Sequence, residues 1–174
     1  MSTDLALPPR LLPALASATL ALARADVVLT AALALAATVT ALLGLVVIAH
    51  GIAILLLVLF ASGLHELAHL AVYRTFAPHG WARLECGGLR AALERDRLPR
   101  TADRMVTAAG PLAPLLLVGV AVPLAPVLPA EAVASVVIAL GHALGLLLPT
   151  ADRRAWQAAA LTPPSPERGS TLGA

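Results

Sequence analysis

The sequence predicts an all-α membrane protein of about four transmembrane helices in two hairpins, with a short cytoplasmic, membrane-associated hairpin loop between the pairs. Three observations carry this expectation. Of 174 residues, 59% are hydrophobic and only 13% charged, against roughly 25% charged in a soluble domain, so a soluble fold of this length could not bury its apolar surface. Four apolar stretches, 27–49, 52–73, 105–125 and 130–148, reach or approach the roughly 20 residues with which a helix crosses about 30 Å of hydrocarbon. The arginines, finally, concentrate between the second stretch and the third.

The first 26 residues are expected to form a cytoplasmic segment. Within them residues 11–23 are a short apolar run that contains Pro13 and ends at Arg24 and Asp26. It resembles the apolar part of a signal peptide, but the missing Lys/Arg-rich start and the longer spans that follow argue against cleavage. In water-free hydrocarbon each backbone amide needs a partner within its own segment, which makes the four stretches helices rather than strands. His50-Gly51 separates the first two and Pro126 to Pro129 the last two, so both connections read as tight turns on one side of the membrane. The loop 74–104 carries seven arginines and neither tight turn carries any. By the positive-inside rule that loop is cytoplasmic, as are Arg10 and Arg24 before the first span and Arg153, Arg154 and Arg168 after the last. Both termini then lie inside a bacterial cytoplasmic membrane, consistent with an even number of crossings. The polar tail 153–174, rich in Pro, Ser and Gly beyond Trp156, reads as disordered.

Composition also excludes some functions. The net charge is +2, every basic side chain is arginine, and few aromatic residues interleave with them, so nucleic-acid binding has little support. The single cysteine, Cys86, rules out an intrachain disulfide and reads as a small loop residue. A chain this short leaves no room for a separate soluble catalytic domain, so any chemistry lies in or beside the bilayer.

The motif that carries chemistry is His65-Glu66-Leu67-Ala68-His69. Residues four apart on a helix share a face, so His65 and His69 can present ring nitrogens to one metal ion, with Glu66 beside it as general base. Three ionisable groups in a membrane span would be costly if accidental, at roughly 2.5–3.5 kcal/mol for each charged residue. A catalytic zinc site has three protein ligands and an open position. His65 and His69 lie four to eight residues from the cytoplasmic end of their span, and both Asp152 and His142 could reach that depth as the third ligand. His50 and His79 fall in connections and read as solvated.

Four elements together resemble the site-2 protease family of intramembrane zinc metalloproteases over about half the chain. They are His65-Glu66-Leu67-Ala68-His69, Gly87-Gly88-Leu89, Ala109-Gly110-Pro111-Leu112 and Leu147-Leu148-Pro149-Thr150-Ala151-Asp152, in that order. The resemblance implies a compact form without a PDZ or CBS domain, Zn²⁺ held by His65, His69 and Asp152 in preference to His142, and Glu66 as the catalytic base. It further implies a substrate segment added as a strand beside Gly87 and Gly88. The expected partners are a membrane-protein substrate with a transmembrane segment and the lipid bilayer. This chain departs from the family pattern in lacking asparagine before Pro149, in having Arg153 after Asp152, and in having Pro114 where asparagine is common. These departures keep open an inactive relative that binds membrane segments as a regulator or chaperone. A metal transporter would instead want ligands along a path through the bilayer, whereas these collect near one end.

Overall fold

The computed structural model describes residues 3–87, 90–148 and 150–161. A short strand, β1 (Thr3–Ala6), precedes the long helices α1 (Leu11–Leu42) and α2 (Val46–Phe76). The strands β2 (Ala82–Gly87) and β3 (Arg90–Arg95) follow, then α3 (Arg100–Leu112), α4 (Leu115–Ala121), a 3-10 turn over Val122–Leu124, α5 (Pro129–Leu144) and α6 (Ala151–Leu161). The protein is thus mostly helical with one small sheet.

Two stretches are long and apolar enough to cross a bilayer: α2, with 31 residues, and Arg100–Leu124, with 25. α1 passes the same test only if Leu11–Ala25 and Val27–Leu42, which meet at 61°, count as one span. α5 has 16 residues, about 24 Å of helix at 1.5 Å per residue, which is short for the hydrocarbon core. Four uninterrupted spans are therefore not what forms. Exposed Val28, Val47, Leu116, Val120 and Val137 nevertheless give these helices an outer surface that suits hydrocarbon better than water.

The connections differ from the expected ones for identifiable reasons. The first turn falls at Gly44, not His50-Gly51. Gly44 takes φ 73°, a left-handed conformation that glycine accepts without a Cβ clash, while Gly51 is helical. His50 consequently sits in the second turn of α2, where its Nδ1 contacts the carboxylate of Glu131 of α5; it is not a solvated turn residue. Proline interrupts the third stretch, with Pro111 in the last turn of α3 and Pro114 just before α4. The fourth stretch leaves helix at Gly145 and turns through residue 148. α6 then carries helix to Leu161, beyond the point where the polar tail was expected to begin; residues 162–174 lie outside the described residues.

The arginine-rich loop forms the expected hairpin, β2 antiparallel to β3 with Leu84 opposite Leu93. β1 adds to it as a third strand, in the order β1-β2-β3, with Leu5 opposite Leu84 and Asp4 paired to Arg83. Cys86 is therefore a buried strand residue and not a loop residue. The core lies where the sheet meets the helices, built from Leu7, Ala14, Ala18, Leu70, Tyr73, Leu84, Cys86 and Val106. Ala14 and Ala18, one helical turn apart, bring the start of α1 against the end of α2. The run 11–23 is thus a structural helix.

Arg74 fastens this corner. It is 2% exposed, and its guanidinium donates to the carbonyls of Gly80 at 2.6 Å and Leu7 at 3.1 Å, while the Tyr73 hydroxyl donates to Trp81 O at 2.7 Å. Removing the guanidinium takes a donor from the buried Leu7 carbonyl and from the part-buried Gly80 carbonyl. Arg74→Ala is expected to lower stability by about 3 kcal/mol, seen as a lower thermal midpoint in detergent; an unchanged midpoint would show that these bonds contribute nothing net.

Candidate metal centre

α2 delivers His65, Glu66 and His69 together near the hairpin end of the molecule. The 3.6-residue period turns both histidine rings to one side, where α3, α5 and α6 close around them. The two Nε2 atoms are 3.1 Å apart. Asp152 completes the group, with one carboxylate oxygen 3.5 Å from His65 Nε2 and the other 3.5 Å from His69 Nε2. His65, His69 and Asp152 each offer one ligand atom within 4.8 Å of the others. Ligand atoms around a tetrahedral ion bound at about 2.0–2.1 Å lie about 3.3 Å apart, so these spacings fit a metal. The histidine side chains are 12% exposed and Asp152 26%, which shields the rings and leaves access on the carboxylate side.

Each member is held from behind. Nδ1 of His69 donates to the backbone carbonyl of Val106 on α3 at 2.7 Å, which leaves the Nε2 lone pair to face the cluster. That bond requires α3 to pass very close to α2, and Gly110 is what allows it, because a Cβ there would run into the His69 ring. Gly110→Ala is therefore expected to push the ring aside and weaken metal binding roughly 10–100-fold, as loss of an orienting contact does. Metal titration of the purified variant checks this, and wild-type affinity would remove Gly110 from the account of the site.

Asp152 is positioned by the start of α6. The Thr150 hydroxyl accepts from the Arg153 amide at 3.3 Å, the N-cap arrangement, and itself donates to Gly145 O. Asp152 thus lies in the first turn of the helix, where the macrodipole favours an anion. Burial opposes its ionisation, but hydrogen bonds and charge from His65 and His69 outweigh that and hold the carboxyl well below the usual carboxylate range. α6 packs on α3, and Arg104 stacks over the Trp156 ring at 5.1 Å, so the carboxylate belongs to a docked helix.

His142, the other candidate ligand, is in the last turn of α5. Its Nδ1 faces Nδ1 of His65 at 3.2 Å, on the side of that ring away from Nε2. It therefore stands behind His65 and outside the trio. Glu66 lies beside the two histidines, with its carboxylate facing the backbone amide of Leu93 on β3, an edge strand among the described strands. Gly87 ends β2 beside this edge strand, pairing with Arg90; Gly88 lies outside the described residues. His79 is exposed in the turn before β2, as expected. Sequence reasoning missed Val106 O and Thr150. The threonine three residues before Arg153 was a readable capping signal, but nothing in the sequence singles out one backbone carbonyl. Compared with protein-family models, with curated proteins and with solved structures, the chain matches none.

Proposed function

We propose that this chain is an intramembrane zinc metalloendopeptidase that cleaves membrane-spanning segments of partner proteins, with His65, His69 and Asp152 as metal ligands and Glu66 as general base. The observation that carries the reading is the approach of Asp152 to both imidazoles beside a carboxylate with no ligand role. A purely metal-holding site needs no such base. A zinc ion held by the three side chains would supply Lewis acidity and lower the pKa of a coordinated water from 15.7 to about 7. The Glu66 carboxylate takes the proton from the attacking water and returns it to the leaving amine. Val106 O and His142 fix the ring orientations of His69 and His65, so that both present Nε2 to the ion.

The substrate approach follows from β3. Peptide bonds in a helix are shielded, whereas an extended segment can pair with an edge strand and expose its carbonyls. β3 packs against α2, so a segment added there lies next to Glu66, with Gly87 at the end of β2. The arginine bias of the hairpin side supports a cytoplasmic location for the site and for both termini, in a bacterial cytoplasmic membrane.

A second reading is a non-catalytic relative that binds membrane segments. It draws on Arg153 beside Asp152, whose guanidinium donates to Leu147 O and ties down the segment that frames the third ligand. The deciding experiment is cleavage of a model single-span substrate in proteoliposomes, with zinc content measured on the same preparation. Turnover that depends on bound zinc supports the peptidase; stoichiometric zinc without turnover favours the binder.

A further inference from the structure

A second polar group lies at the opposite end of α2. His50 precedes His65 by 15 residues, about 22 Å along the helix, and its partner Glu131 is the third residue of α5. Ionisable pairs in apolar helices mark functional sites more often than not. Only Oε1 of Glu131 is used by His50. Oε2 is buried and has no hydrogen-bond partner, and the nearby Ser135 hydroxyl is committed to the Glu131 backbone carbonyl at 2.8 Å.

Glu131 also lines a cavity of about 370 Å³ between α2, α4 and α5, whose walls include Leu57, Phe60, Val120, Leu124 and Leu128. That volume falls in the range of small-molecule sites, roughly 300–1,000 Å³. Phe60, Val120 and Leu124 are 62%, 67% and 46% exposed, so the groove opens outward, toward the hydrocarbon that these helices would meet in a bilayer. Its lining is apolar apart from Glu131 and Ser135, and of these the Glu131 Oε2 is the acceptor that lacks a donor, in the first turn of α5, at the depth where headgroups would lie in a bilayer.

We propose that this groove binds a phospholipid with a primary ammonium headgroup, the acyl chain lying along the leucine-rich walls and the ammonium donating to Oε2 of Glu131. An ammonium has three N–H donors, and its bond to a carboxylate is charge-assisted. A quaternary choline headgroup has no N–H and cannot make that bond. The occupant would wedge α4 and α5 against α2 and so set the spacing of α5, which carries His142. The inference rests on the chain lying in a bilayer and is independent of metal binding or peptidase activity.

The test uses the full chain in detergent, titrated with phosphatidylethanolamine or phosphatidylcholine of identical acyl chains, bound lipid being counted by native mass spectrometry. The wild type should retain the ethanolamine lipid at about tenfold lower concentration than the choline lipid. Glu131→Gln should erase that preference, and Val120→Trp, which fills the groove and leaves the carboxylate intact, should abolish binding of both. Equal retention by the wild type, no bound lipid, or a preference that survives either substitution overturns the proposal. If Glu131→Gln does not fold, the wild-type comparison and Val120→Trp still decide it. Failure of the bilayer premise shows separately, as a chain that stays monodisperse without detergent.

Discussion

Glu66→Gln is expected to abolish cleavage of a membrane-spanning substrate while leaving the metal bound. The carboxamide has the shape of the carboxylate but cannot accept the proton of the attacking water, so the rate should fall about 10²–10⁴-fold, the usual contribution of a positioned general base. Glu66 contributes no ligand atom to the trio of His65, His69 and Asp152, so zinc content should stay at the wild-type level. The paired measurement matters, because an unfolded variant would lose both. Wild-type cleavage by Glu66→Gln would eliminate the peptidase mechanism, whereas absent cleavage in the wild type as well would favour the non-catalytic binder.

The second large effect separates the two candidate third ligands. Asp152→Ala removes an oxygen from each of two 3.5 Å approaches and leaves His65 and His69 as the only ligands of the trio, too few for a stable structural or catalytic zinc site. His142→Ala removes a contact to the far nitrogen of His65, which should cost roughly 10–100-fold in affinity, the range for an orienting partner. Zinc competition titrations should therefore rank wild type above His142→Ala and His142→Ala above Asp152→Ala. The reverse order of the two variants would make His142 the ligand and Asp152 its support. Rescue of affinity by His142→Asn, which keeps a hydrogen-bonding side chain, would identify an orienting role that a packing defect does not mimic.

The part of the grouping that depends on local spacing was legible. His65 and His69 share a face by helical period alone, and the arginine-bearing loop between apolar stretches becomes a hairpin as expected. The choice between Asp152 and His142 was not legible from depth, since both could reach the site. It turns on which way α5 and α6 face, and that follows from the break at Gly145, the Thr150 cap and the docking of Trp156 on Arg104. Val106 O escaped notice because any residue offers a carbonyl; only the close approach that Gly110 permits selects this one.

The limits of the spans show the same division. The apolar runs by themselves determine that this chain carries helices apolar enough for a bilayer, since 59% of its residues are hydrophobic and the longest runs reach the length of a span. The sequence also determines a histidine pair on one helical face with a carboxylate beside it. Where an apolar run turns is a different matter, because Gly44 and Gly51 are locally equivalent breakers. Only tertiary structure decided between them, through the pairing of His50 with Glu131, 81 residues away, which needs His50 inside α2. The meeting of Asp152 with His65 and His69 was decided in the same way, because the free energy that brings its carboxylate to two imidazoles comes from contacts between helices distant in the chain.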